Sequence, residues 1–118
     1  MPSLIGTPTR IPVPGGKIID EYVGRVNSGE TSVSVARMDA PGGWSEPFQT
    51  PDFDEFTLVL RGTVLVEHAD GVLAVSAGQA VVTRAGERIR YSTPDGDGAE
   101  YVAICRPAFA PELAKRDD

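Results

Sequence analysis

The chain has 118 residues, enough for one hydrophobic core and too few for two. Eleven basic residues against seventeen acidic ones leave a net charge of −6, and the arginines are scattered, so no basic stripe can grip a phosphate backbone and nucleic acid is not expected as a partner. No apolar run approaches the roughly 20 residues of a membrane span, the start MPSLIGTPTR lacks a secretory apolar segment, and the single cysteine, Cys105, cannot form an intrachain disulfide, so the expected setting is cytoplasmic and away from membranes.

Residues 1–16 (MPSLIGTPTRIPVPGG) are rich in Pro, Gly and Thr without a period, and read as an arm that is extended or loosely packed. Lys17 to Val26 and Thr31 to Met38 are strand candidates, with Asn27-Ser28-Gly29 as the turn between them. DAPGGW breaks the pattern and leads into EPFQTPDFDEFTLVLRG. From there short β-prone runs follow one another: FTLVLRG, TVLVEH, GVLAVS, QAVVTR, RIRYST and AEYVAICR. Arg61-Gly62, Asp70-Gly71, Ala77-Gly78, Ala85-Gly86 and Pro94-Asp95-Gly96 separate them, and Asp70-Gly71 is the strongest hairpin signal. Strands at this spacing without a helical period predict an all-β sandwich or barrel over residues 17–110. The tail 111–118 (PELAKRDD) predicts one helical turn that then frays.

Two spacings carry a resemblance. Glu55 followed by Gly62, and Gly78 followed by RAG at 84–86 and RIRYST at 88–93, resemble the two motifs of the cupins over residues 44 to 106. The resemblance implies a single-domain cupin-type double-stranded β-helix, or jelly-roll barrel, with a ligand pocket inside and a tendency to dimerise. It also implies a glutamate pointing inward at Glu55. The metal-binding histidine positions of such motifs fall on Gln49, Pro51 and Ile89, the usual proline is Arg84 and the final asparagine is Thr93. RYSTP with this altered site is similar to the ethanolamine-utilisation cupins, which are associated with acetate kinase activity.

Gln49 and Glu55 alone would hold a divalent cation weakly, and the one histidine, His68, belongs at a strand end, so neither metal nor cofactor is expected. DFDE at 52–55 lacks the glycine and ligand spacing of a calcium loop.

Strand alternation sends Thr57 and Val59 inward with Glu55, and Tyr91 and Thr93 inward with Ile89. In the last strand Tyr101, Ala103 and Cys105 share the face that suits a pocket wall. For SVSVARMD the alternation is ambiguous. Either Val33, Val35 and Arg37 face in, making Arg37 an anion anchor, or Ser32, Ser34, Ala36 and Met38 do.

The expected site has Glu55 and Tyr91 as catalytic residues and Gln49, Thr57, Ile89, Arg37 and Cys105 as substrate-binding residues. Apolar surroundings should raise the Glu55 pKa toward the range of an effective general acid or base, with Tyr91 donating to developing negative charge. Glu55 as an interior hydrogen-bond partner, Arg37 as a surface arginine and Cys105 as a core residue stand beside these roles.

The function read from this site is a metal-independent enzyme moving a proton on a small organic substrate, of isomerase, cyclase or lyase type. The alternatives are a non-catalytic barrel holding a small-molecule ligand and an acetate-kinase-like enzyme. A homodimer is expected, with GKIIDEYV joining the partner's sheet.

Overall fold

In the computed structural model, which describes residues 1–117, the β-prone runs become nine antiparallel strands and one helical turn. They are β1 (Thr9–Ile11), β2 (Ile18–Val23), β3 (Ser34–Ala40), β4 (Trp44–Ser45), β5 (Asp54–His68), β6 (Gly71–Ser76), β7 (Ala80–Thr83), β8 (Arg90–Thr93), β9 (Ala99–Arg106) and α1 (Pro111–Ala114). One sheet runs β1-β2-β3-β9-β5-β7 and the other β4-β8-β5-β6. The 15-residue β5 belongs to both and folds one sheet over the other.

Sharing one strand between two sheets requires a bend, and β5 bends where the sequence suggested a turn. Arg61-Gly62 does not reverse the chain. Its register against β9 shifts between Val59 and Arg61, a bulge that places one extra residue in the strand. Inward positions therefore change phase: Glu55, Thr57 and Val59 are buried before the bulge, and Val64 and Val66 after it. Gly62 has φ 78°, and a Cβ there would lie 2.1 Å from the carbonyl oxygen of Gly98. The Ala77-Gly78 turn covers the bend by donating to the Gly62 and Val59 carbonyls at 3.1 and 2.9 Å.

The Asp70-Gly71 hairpin forms with Ala69 and Asp70 as its turn and His68 paired with Gly71. His68 ends β5, half-buried, and its Nδ1 accepts the Asp70 N–H at 3.3 Å.

Both chain ends are held more firmly than their compositions suggest. Residues 9–11 are not a loose arm: they pair with β2. That leaves β2 flanked by β1 and β3, so GKIIDEYV has no free edge to lend a partner's sheet. The tail does not fray after α1. Thr50 and Asp52 N–H groups donate to Lys115 and Leu113, and Asp117 N–H donates to Phe48 O at 2.7 Å. A Lys115–Asp52 ion pair at 2.6 Å adds a side-chain tie. Asp118, the last residue of the 111–118 tail, lies outside the described residues.

The interior divides in two. Trp44, Val59, Val64, Val66, Val75, Val81 and Ile89 pack one half solidly. At the other end Phe53, Cys105 and Ala114, with Phe109 and Leu113 against them, form a small plug. Between these lies open space. Outside, Leu58, Leu60 and Val82 are exposed on the sheet that carries β7, β5 and β9.

Gly62→Ala is expected to lower stability by on the order of 1–3 kcal/mol from backbone conformation alone, before the clash with Gly98 is counted. The measurement is a urea unfolding curve, read as a lower midpoint with an unchanged slope.

Candidate functional site

The open space is a cavity of about 300 Å³, at the small end of the range for ligand sites. Its walls follow from strand alternation. β5 contributes Glu55 and Thr57, β9 contributes Tyr101, Ala103 and Cys105, β3 contributes Ser34, Ala36 and Met38, and β8 contributes Tyr91. Segments outside the regular strands supply Lys17, Glu46, Gln49, Phe53, Phe109 and Arg116.

Glu55 is 8% exposed. Burial pushes its carboxyl up to about 7; a hydrogen bond from the Tyr91 hydroxyl restrains the rise, Glu46 adds to it, and Lys17 and Arg116 oppose it. Tyr91 Oη also lies 2.9 Å from Thr83 Oγ1, which holds the ring in place. Burial, then the nearby Glu55 charge, keep the Tyr91 phenol protonated well above its usual pKa.

Glu46 stands beside Glu55. Its pKa is also raised by burial, against the pull of Lys17 and Arg116 and of a bond from the Tyr91 backbone N–H. The Lys17 ammonium lies 4.2 Å from the centre of the Trp44 ring and 5.5 Å from that of Tyr101. Burial lowers its pKa, and the charges of Glu46 and Glu55 partly restore it. The cavity lining thus holds three carboxyl groups, one ammonium and, from the tail, one guanidinium; the third carboxylate, Glu21, is already engaged, its Oε1 accepting the Val26 and Asn27 N–H groups at 3.0 Å.

Three buried polar atoms among the described residues lack a partner: Glu46 Oε2, Thr57 Oγ1 and Tyr101 Oη. All three belong to side chains of this cavity. A buried polar group left unpaired is costly, so these three atoms are where a molecule entering the cavity would gain most from hydrogen bonding.

Of the residues expected at the site, Glu55, Tyr91, Gln49, Thr57 and Cys105 come together on the wall. Cys105 sits opposite Glu55 across the β5–β9 pair, and burial raises the pKa of its thiol. Two placements are corrected. Arg37 points away from the cavity and pairs with Glu100 at 2.6 Å, because β3 turns Ser34, Ala36 and Met38 inward instead. Ile89 packs into the solid half of the core and does not border the cavity, although its backbone pairs with Gln49. Arg84, Arg88 and Arg90 are paired with Asp54, Asp117 and Glu67 and do not neutralise Glu55.

Lys17, Glu46 and Arg116 were not singled out by sequence. Glu46 and Arg116 lie in aperiodic segments, and Lys17 precedes β2, so no alternation assigns them a face. The remaining signal was a lysine beside the start of a strand and a charged tail after a helical turn.

No family model matches the chain. It is 46% identical over 105 residues to a Myxococcus xanthus protein named endoribonuclease YbeY, covering 88% of this chain and 35% of that protein. The chain thus spans about a third of the length of the curated relative it matches. Among solved structures, Streptomyces PAC13 with uridine superposes with a TM-score of 0.76 at 16% identity, over 98% of this chain and 88% of that one. A putative ethanolamine utilization protein Q of Salmonella typhimurium gives 0.67 at 20% identity, over 79% and 71%. Oxalate decarboxylase of Bacillus subtilis gives 0.76 at 13% identity, over 98% and 33%. The chain is a cupin-fold protein, all-β and of jelly-roll type.

The relative corrects the functional expectation. A protein 46% identical over most of this chain bears an endoribonuclease's name, which overturns the proton-moving enzyme on a small organic substrate together with its two alternatives. The exclusion of nucleic acid falls with it. Net charge describes the whole chain, whereas the cavity has its own local balance, with Lys17 and Arg116 among Glu21, Glu46 and Glu55. No helix of the described residues is long and apolar enough to cross a membrane.

The Glu55 environment yields a pH test. An acid whose folded pKa lies above its unfolded value destabilises the fold as pH rises, from no penalty below 4.5 to the full penalty above about 7. Glu55→Gln removes this dependence, so the variant should gain on the order of 3 kcal/mol over wild type at about pH 8 and almost nothing at about pH 4. Urea unfolding at both pH values checks it. A difference that does not change with pH would show that Glu55 is ionised normally in the fold.

Proposed function

We propose that this barrel acts on RNA by holding one ribonucleoside unit of a strand in its cavity, as the RNA-holding part of an endoribonuclease-type protein. The carrying observation is the 46% identity, over 88% of the chain, to the protein named endoribonuclease YbeY. Because the chain spans 35% of that relative, the proposal assigns to this segment the grip on RNA.

The cavity supports the reading in three ways. Its size suits one nucleoside and no more. Its wall alternates aromatic surface with polar groups: Tyr101, Phe53 and Phe109 offer faces for a base, while Thr57, Glu55, Glu46 and Gln49 offer partners for sugar and base edges. Uridine is the ligand named with PAC13, a neighbour whose fold matches this chain over nearly its whole length.

Glu55 accepts a hydrogen bond or a proton from a sugar hydroxyl, and Tyr91 steadies whichever charge state results. Gln49, Thr57 and Cys105 contribute to the shape and polarity of the wall. Lys17 and Arg116 are the cations placed to meet a phosphate next to the bound nucleoside. The chain as a whole carries a net charge of −6, so further phosphates of a long strand gain little from its surface.

A short single strand, hexauridylate with a 5′ fluorescein, should bind with a saturable rise in anisotropy. The logarithm of its affinity should fall against that of salt concentration with a slope of about −1.4, as for two phosphate contacts. Arg116→Ala, a change at an exposed position of the tail, should bring the slope to about −0.7. No binding at about 50 mM salt, where phosphate contacts are strong, would overturn the proposal.

A further inference from the structure

We infer that the cavity reads the free 2′,3′-diol of a ribonucleoside, so that the RNA it takes up is a 3′ end bearing hydroxyls and not a phosphate. This rests on the RNA reading above and names the part of the strand that enters.

The observation behind it is the arrangement of acceptors. Glu46 and Glu55 reach the same space from different segments, Glu46 just after β4 and Glu55 at the start of β5. Glu46 Oε2 is buried and bound to nothing, and the Thr57 and Tyr101 hydroxyls beside it are equally unpartnered. An ionised carboxylate oxygen accepts and cannot donate, so in the charged form that Lys17 and Arg116 favour, the group that completes Glu46 Oε2 is a donor. Two neighbouring carboxylates call for two neighbouring donors. The vicinal hydroxyls of a ribose supply two adjacent donors, each oxygen retaining lone pairs to accept from Thr57 or Tyr101.

The same pair excludes a phosphate. An anionic ester at the 2′ or 3′ position would stand against Glu46 and Glu55 in a buried site, and above about pH 7, where Glu55 is ionised, like charges there are strongly disfavoured. Lys17 offsets one negative charge and not two, and its ammonium is drawn over the Trp44 ring. A phosphate on the 5′ side, by contrast, can point outward toward Arg116, whose side chain is exposed. The polarity of the cavity thus orients a strand with its 3′ sugar inside and its 5′ direction outside. A free ribonucleoside offers the same diol, so the test separates the two sources.

Anisotropy titrations at about pH 8 would compare three strands, 5′-fluorescein hexauridylate ending in the diol, the same strand with a 3′-phosphate and the same strand with a 2′-deoxy terminal sugar, and calorimetric titrations would compare free uridine with 2′-deoxyuridine. The diol strand should bind at least about tenfold tighter than the phosphate-ended strand and about tenfold tighter than the deoxy-ended one. Glu46→Gln should keep a wild-type circular dichroism spectrum and shrink the phosphate discrimination to within about threefold, since one of the two repelling charges is gone. Tyr101→Phe should preserve that discrimination while weakening the diol strand a few-fold, by on the order of one hydrogen bond.

Equal binding of all three strands would overturn the diol inference and leave the RNA reading standing. Diol-dependent binding of uridine with no binding of any strand would leave diol recognition standing and overturn the RNA reading. Binding of no probe would overturn both.

Discussion

The bend in β5 is the constraint on which the rest depends. One strand serves two sheets, and the extra residue between Val59 and Arg61 changes which side chains face inward. Before it, Glu55 and Thr57 point into open space; after it, Val64 and Val66 seal the other half of the barrel. Gly62 permits the change because the Gly98 backbone occupies the place where a side chain would go. A barrel with the inward phase unbroken through β5 would present Thr63 and Leu65 to the core, and would lose the division between packed half and cavity.

That division sets the electrostatics. A carboxylate in open solvent would titrate in its ordinary range; Glu55 is held near neutrality because the solid core beneath it and the Phe53–Phe109 plug beside it limit access of water. Glu46 and Lys17 are caught in the same enclosure, each shifted toward its neutral form by burial and partly held charged by the other. The cavity thus sets three carboxyl groups against Lys17 and Arg116, inside a chain whose net charge is −6. Local balance, more than net charge, decides what can enter.

How much of this was legible depended on periodicity. Strands with clean alternation gave their facing directly: Glu55 and Thr57, Tyr91 and Thr93, Tyr101, Ala103 and Cys105 all share the interior faces that a period of two assigns them. β3 resisted because both of its faces mix small, apolar and polar residues, and only pairing with β9, Ser34 opposite Cys105 and Ala36 opposite Ala103, settles that Arg37 points out. Gly62 was misread as a turn because a bulge and a turn ask for the same residue. Glu46 and Arg116 have no period to read, and the ties between 48–52 and 113–117 that bring the tail to the cavity are long-range backbone bonds. The exclusion of nucleic acid failed for another reason: scattered arginines exclude a broad basic surface, but they say nothing about single cations such as Lys17 and Arg116 beside a cavity.

The central claim, that the cavity itself receives a ribonucleoside unit of RNA, is tested most directly by mapping where a strand binds. In a ¹⁵N-labelled sample titrated with hexauridylate, the account predicts saturable shifts of the Thr57, Tyr91, Tyr101 and Ala103 amides, which lie on strands of the cavity wall, with little change along exposed β6. Shifts confined to β6 and the outer sheet face, or none at all, would contradict it.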